Sequence, residues 1–123
     1  MPNEFFWRIE VPIRLVSEAN QREHWATRNK RKRAQQRAVE LAWLAAGMRG
    51  RFHAFPYVIE LVRVGVRKLD PDNLAGSFKH AQDQIARCLG VDDGDEKRVR
   101  WIYSQRKGAP KQYALEILIH ESD

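Results

Sequence analysis

Between Lys68 and Lys97 the chain reads KLDPDNLAGSFKHAQDQIARCLGVDDGDEK. Asp70 and Asp72 stand at the mouth of a helical pattern, and Asp92, Asp93 and Asp95 follow just past its end. Carboxylates gathered this closely repel one another and raise each other's pKa unless a cation or a set of donors sits among them. Hard oxygen ligands of this sort suit Mg²⁺ or Mn²⁺, which keep several waters and take few protein carboxylates. A calcium loop fits less well, because DDGDEKRVRW lacks the alternate ligand spacing of an EF-hand and leads into a strand.

The plainer account of the first two acids is structural. Asp72 is placed to cap a helix starting near Asn73, and Pro71 keeps Asp70 extended. The helical wheel adds a second account. Residues 72, 76, 79 and 83 are spaced four, three and four, so Asp72, Gly76, Lys79 and Asp83 share one line. Leu74 lies about 200° round from Asp72, so the core stripe faces the other way. A lysine leans toward the helix N-terminus and Gly76 leaves the intervening turn bare, so Lys79 can direct its ammonium toward the Asp70/Asp72 pair. If the loop after Gly90 returns beside the strand bearing Asp70, a third carboxylate joins them.

Other chemistries find little support. The four histidines form no HExxH-type pair, Ser77 and Ser104 have no evident His/Asp partners, and no glycine-rich nucleotide loop occurs. Cys88 falls on an apolar stripe and reads as packing. A single cysteine excludes an internal disulfide framework or a multi-thiolate zinc site.

The chain is basic, with 22 Lys+Arg against 16 Asp+Glu in 123 residues. The excess is local. Residues 22–37 carry Arg22, Arg28, Lys30, Arg31, Lys32, Arg33 and Arg37 against Glu23 alone, which leaves the remainder balanced. Such a footprint suits a polyanion, although a solvated helix face would look the same. Trp25 lies inside the run, placed either to stack on a base or to pack beneath the arginines. No apolar run reaches membrane-spanning length, and MPNEFFWRIEVPIRL lacks the build of a signal peptide, so an intracellular, cytoplasmic location without membrane contact is the expectation.

These residues need elements to position them. Phe5, Trp7, Ile9, Val11 and Ile13 alternate as in a half-buried strand. A helix follows over about residues 20–47, capped by Ser17 or Asn20, with an apolar stripe at Ala34, Ala38, Leu41 and Ala45. PYVIELVRVGV reads as a strand covered on both faces. Leu74, Phe78, Ala81, Ile85 and Cys88 form the core stripe of the helix after DPDN, and Gly90 suits a left-handed cap. RVRWIYSQR and QYALEILIHE flank KGAPK as a hairpin would. Phe52, Phe55 and Tyr57 fall outside any periodic face and either close the core or meet a second copy. The order strand, helix, strand, helix, strand, strand gives a single-domain α+β fold over residues 1–123, a small mixed sheet packed by two helices.

DPDNL opening a helix, a lysine later in that helix and GVDD before a strand together resemble the RusA-like Holliday junction resolvases, small phage and bacterial endonucleases. The resemblance extends over nearly the whole chain in organisation, and its sharp part is residues 68–99. It implies that Asp70, Asp72 and Asp93 are metal-binding catalytic acids for Mg²⁺ or Mn²⁺. It implies a catalytic role for Lys79, which stands four residues before Asp83 as the family lysine stands before a helix aspartate. It also implies a homodimeric endodeoxyribonuclease cutting four-way junctions or related branched DNA in recombination and repair, in a bacterial or phage-infected cell.

The sequence departs from the family in three places. The family lysine position holds Gly76, the DDGDEKRV loop is longer and offers Asp92 and Asp95 beside Asp93, and VSEANQREHW replaces a Pro- and Asn-rich loop. Arg28, Lys30, Arg31, Lys32, Arg33 and Arg37 are the expected phosphate contacts. The alternative is a non-catalytic nucleic-acid-binding module built on the basic segment 22–37.

Overall fold

YVIELVRVG, residues Tyr57–Gly65, forms the strand β2, and all of it is buried except the half-buried Glu60. Its β-branched and aliphatic content suits a pleated surface with neighbours on both sides. The computed structural model describes residues 6–18, 24–92 and 94–122, with Phe6 as backbone only. Around β2 are β1 (Phe6–Val11), α1 (Trp25–Ala45), α2 (Pro71–Ser77), α3 (Lys79–Leu89), β3 (Val99–Lys107) and β4 (Ala114–Glu121). The fold is α+β, with helices packed on a four-stranded mixed sheet of order β1-β4-β2-β3.

β2 and β3 run parallel, from Tyr57 opposite Val99 to Gly65 opposite Lys107. The helical crossover α2–α3 makes this pairing possible, since parallel neighbours need a long connection. β4 then pairs antiparallel with β2 and with β1. The hairpin expected from KGAPK is therefore not formed. β2 lies between β3 and β4, and the turn carries the chain past the end of β2, where Gly108 N donates to Gly65 O at 2.8 Å. Turn residues report a reversal of direction, and here they serve a reversal that skips one strand.

One face of the sheet meets the helices. Tyr57, Ile59 and Leu61 pack there with Leu115, Ile117, Ile119, Ile9 and Val11. Alternation sends Glu60 and Glu116 to the other face, where Glu60 accepts from Ser104 Oγ at 2.7 Å and Glu116 is shared by Arg8 and Arg106. Burial of β2 on that side comes from these long side chains rather than from a second helical layer.

α1 turns a different face inward from the one its alanines suggest. Val39 and Trp43 are buried with Gln35 and Gln36, while Ala34 and Ala45 are exposed, Ala38 is half-buried and Leu41 is 52% exposed. A tryptophan and a valine remove far more apolar area from water than an alanine row, and this sets the rotation of the helix. Its cap is His24, whose Nδ1 accepts from Ala26 N at 3.1 Å; Ser17 is not the cap, and Asn20 lies outside the described residues.

The second predicted helix is two, broken at Phe78, which ends α2 and starts α3 in one right-handed conformation. Its stripe holds: Leu74, Phe78, Ala81 and Ile85 are buried and Cys88 packs against them. Burial raises the Cys88 thiol pKa, in keeping with packing. Gly90 ends α3 at φ 74°, the left-handed value a Cβ disfavours.

Phe52 and Tyr57 are buried, with ring centroids 5.3 Å apart, and Phe52 also meets Trp7 and Trp43 at 5.1 and 5.3 Å. Phe52 and Tyr57 thus close the core, and the half-buried Phe55 packs on Tyr57 at 5.1 Å.

Glu18 ties the segment after β1 to α1 and α3. Its carboxylate accepts from Arg31 Nε at 3.0 Å and Nη2 at 2.6 Å, and His80 Nε2 stands 3.4 Å away. Burial opposes the charge, but Arg31 and His80 more than offset it and hold the Glu18 pKa below its ordinary 4.5. A lowered folded-state pKa stabilises above the unfolded value and is lost as pH falls through the folded one. Glu18→Gln should therefore cost about 1–3 kcal/mol at neutral pH and flatten the acid limb of stability below about pH 4.5, as read by urea unfolding across pH.

Candidate metal and nucleic-acid site

The DPDN segment is held by a chain of side-chain bonds. Gln105 of β3 clamps the backbone just ahead of it: its Oε1 accepts from Leu69 N at 2.9 Å and its Nε2 donates to Leu69 O at 2.7 Å. Asp70, rather than Asp72, is the N-cap of α2. Its Oδ1 accepts from Asn73 N at 3.0 Å and its Oδ2 from Asn73 Nδ2 at 3.1 Å. Ser17 Oγ donates to Asn73 Oδ1 at 2.8 Å, which orients that amide. Proline explains the shift of the cap. Pro71 is preorganised for the first helical position, where its missing N–H costs nothing, so the residue before it becomes the cap. As the proline also requires, Asp70 is extended, at φ −68° and ψ 164°.

Asp72 then falls in the first turn of α2, exposed and without a hydrogen bond among the described residues. The two acids are thus differently occupied: Asp70 is bonded to its own helix, and Asp72 is open to a ligand. Gly76, one turn on, meets nothing within 4 Å of where a Cβ would stand. Lys79 is exposed at the start of α3, and no acid pairs with it among the described residues.

The later acids lie elsewhere. Leu69 is bonded to Gln105 near the C-terminal end of β3, whereas the 92–98 loop feeds the N-terminal end of that strand. Because β2 and β3 are parallel and in register over nine residues, the two ends are about 26 Å apart at ~3.3 Å per residue. Asp93 itself lies outside the described residues. Of its neighbours, Asp92 accepts from Gly94 N at 3.1 Å, and Asp95 caps its own turn by accepting from Lys97 N and Arg98 N. Asp92 shares a shallow opening with Asp83 at the far end of α3. Asp92 and Asp95 are not brought to Asp70, and among the described residues no group of three His, Cys, Asp or Glu side chains could hold a metal ion. Asp70 and Asp72, two residues apart, fit a hard divalent cation in donor type.

The basic segment opens α1. Arg28, Lys30, Arg33 and Arg37 are exposed and Lys32 is half-exposed, while Arg22 lies outside the described residues. Arg31 differs, since its guanidinium is committed to Glu18 and the side chain is 20% exposed. It anchors the fold. Trp25 is 68% exposed, so it does not pack beneath the arginines, and with Asn29, Lys32 and Arg33 it lines an open groove. Sequence reasoning missed Gln105, Asn73 and Ser17 as positioning residues. Asn73 carried a signal, because an amide three residues after an aspartate can bond both to it and to another element.

No protein-family model matches the chain, and no curated protein does. Among solved structures it is similar to 2C-methyl-D-erythritol 2,4-cyclodiphosphate synthase from Plasmodium vivax, at 12% identity over 76% of this chain, with a TM-score of 0.29. The chain spans 57% of that protein, and a likeness so low carries no argument.

The division between the two acids is measurable as stability. Asp70→Ala should cost about 1 kcal/mol through loss of the cap, and Asp70→Asn much less. Asp72→Ala should cost about 0.3 kcal/mol, from the helix dipole alone. Denaturant midpoints of the three variants check this, and equal losses at 70 and 72 would contradict it.

Proposed function

We propose that this chain is a Mg²⁺-dependent endodeoxyribonuclease of the RusA-like kind, acting as a homodimer on four-way junctions or related branched DNA in recombination and repair. The observation that carries the reading is Asp72, exposed and without a hydrogen bond among the described residues, two residues from the capped Asp70 on a segment clamped by Gln105. Mn²⁺ is the alternative ion.

A third carboxylate comes from the second copy on this reading. β3 is an edge strand, and an unpaired edge invites another strand. Two β3 edges aligned antiparallel about a two-fold axis set the Asp92–Asp95 end of one protomer beside the Leu69–Asp72 end of the other. Asp70, Asp72 and the partner's Asp93 would hold the ion, with Asp92 and Asp95 as the alternatives to Asp93. Bound there, Mg²⁺ supplies neutralisation of the phosphate and a lowered pKa for water. Asp70 keeps its orientation through Asn73, so that carboxylate stays aimed with no reorganisation. Lys79, exposed at the start of α3, would stabilise negative charge developing on the phosphate.

The exposed bases of α1 track the backbone, and Trp25 offers an aromatic face to an unpaired base at the branch point. Asp70's cap and the lack, among the described residues, of a third acid grouped with Asp70 and Asp72 favour one other reading, a module that binds nucleic acid without cutting it.

Nicking of a synthetic junction separates the two. Cleavage should require Mg²⁺ or Mn²⁺ and fall at least about a thousandfold in Asp72→Asn, while junction binding in EDTA stays equal or tightens as repulsion of phosphate is removed. Binding with no metal-dependent nicking in the native protein would establish the non-catalytic module. Replacing Lys30, Arg33 and Arg37 by alanine should flatten the salt dependence of binding by about 0.9 per lost contact, measured by anisotropy across salt. An unchanged slope would make this a solvated helix face.

A further inference from the structure

Three arginines converge at one end of the sheet with no acid among them. Arg14 follows β1, Arg63 belongs to β2 and Arg67 lies on the loop leading to Asp70. With Val66 and Tyr113 they line a cavity of about 380 Å³. The Arg14 Cζ sits 4.6 Å from the centre of the Tyr113 ring, which fixes that guanidinium at the rim.

Arg63 is the built part of the cluster, at 6% exposed. Its Nε donates to Leu15 O at 3.1 Å and its Nη1 to Arg67 O at 2.7 Å, both neutral acceptors. Nη2 makes no bond among the described residues, and no carboxylate there pairs with any of the three arginines. Burial holds the Arg63 pKa below the ordinary arginine value, Arg14 pushes it further down and Tyr113 acts the other way. The guanidinium stays charged even so.

A buried charge is normally paired, and a fork of donors without an acid is shaped for an oxyanion. Stapling Leu15 to Arg67 accounts for the burial of Arg63. It does not account for Arg14 and Arg67 lining the same cavity. Gly65 makes room for the Arg63 guanidinium, since a Cβ there would stand 2.8 Å from Arg63 Nη1 and 3.1 Å from Nη2.

We propose that Arg14, Arg63 and Arg67 form a binding site for a tetrahedral phosphate. Its position suggests the source. Arg67 is three residues from Asp70, and Gln105, the register partner of Arg63, clamps Leu69. A backbone phosphate held here is a neighbour of the phosphodiester offered to Asp72, so the site sets the register of the DNA at the cut. That assignment of the source rests on the nuclease reading, whereas the oxyanion chemistry rests on the arginines.

The test uses the full chain in EDTA, as wild type, Arg14→Gln, Arg67→Gln and Gly65→Ala. Thermal melting is followed in inorganic phosphate against chloride at equal ionic strength, and binding by anisotropy of a labelled four-way junction. Phosphate should raise the melting temperature of the wild type and much less that of each variant. Each variant should bind the junction about three- to tenfold more weakly, and the two glutamine variants should lower the salt slope by about one. A junction bound normally in EDTA by all variants and nicked normally once Mg²⁺ is added, with no phosphate-specific shift, overturns the site and leaves the nuclease reading standing. A phosphate shift that depends on the arginines, in a protein that binds no DNA, supports the site with free phosphate as its ligand and ends the nuclease reading.

Discussion

The parallel pairing of β2 with β3 is the constraint on which everything else rests. It demands the crossover α2–α3, and it sends the two acid-bearing segments out of opposite ends of the sheet. No adjustment of loop or rotamer spans that separation, because nine in-register pairs make the two strands one rigid plate. The helices inherit the same geometry: Asp72 opens α2, and Asp92 follows the last turn of α3. A site needing carboxylates from both ends needs a second plate running the other way. The free edge of β3 is where the proposed two-fold supplies it.

The charge arrangement follows a matching logic. Asp70 and Asp72 emerge at the sheet end that also carries Arg14, Arg63 and Arg67, and α1 opens with its own cluster of bases. A polyanion drawn to such a surface meets two carboxylates that repel it unless a cation lies between. Metal dependence thus becomes a requirement of electrostatics on the proposed reading. The protein's own part is to keep Asp70 and the turn that bears both carboxylates in place. Ser17 bonds Asn73, Asn73 bonds Asp70, and Gln105 holds the backbone one residue earlier. Three elements distant in sequence converge on one turn, a larger investment than an ordinary helix cap calls for.

Much of the fold was legible because its signals were local. The apolar run of β2, the stripe from Leu74 to Ile85 and the left-handed glycine after α3 each express a preference of their own segment. What escaped was competition between segments. The alanine line of α1 has the right period, but Trp43 and Val39 have more surface to bury and won the core. Lys107 to Lys111 has turn chemistry, yet which strand lies beside β3 is decided by the crossover. Asp72 looked like the cap until Pro71 is counted as already helical. The acid cluster itself was legible as chemistry and not as geometry, since sequence shows closeness along the chain and hides the direction of the intervening strands. Gln105 gave no sign at all, because a glutamine in a strand matters only once Leu69 is known to pass it.

A mixing experiment tests the shared site most directly. The double variant Asp70→Asn/Asp72→Asn and the variant Asp93→Asn are each inactive on this account and each bind junction. Co-refolded, they form mixed dimers in which one protomer's Asp70 and Asp72 face the other's Asp93, all three native. Metal-dependent nicking of one strand per junction should return, at about a quarter of wild-type site number for random pairing. A mixture that dimerises and binds junction yet stays as inactive as its parents would contradict the account.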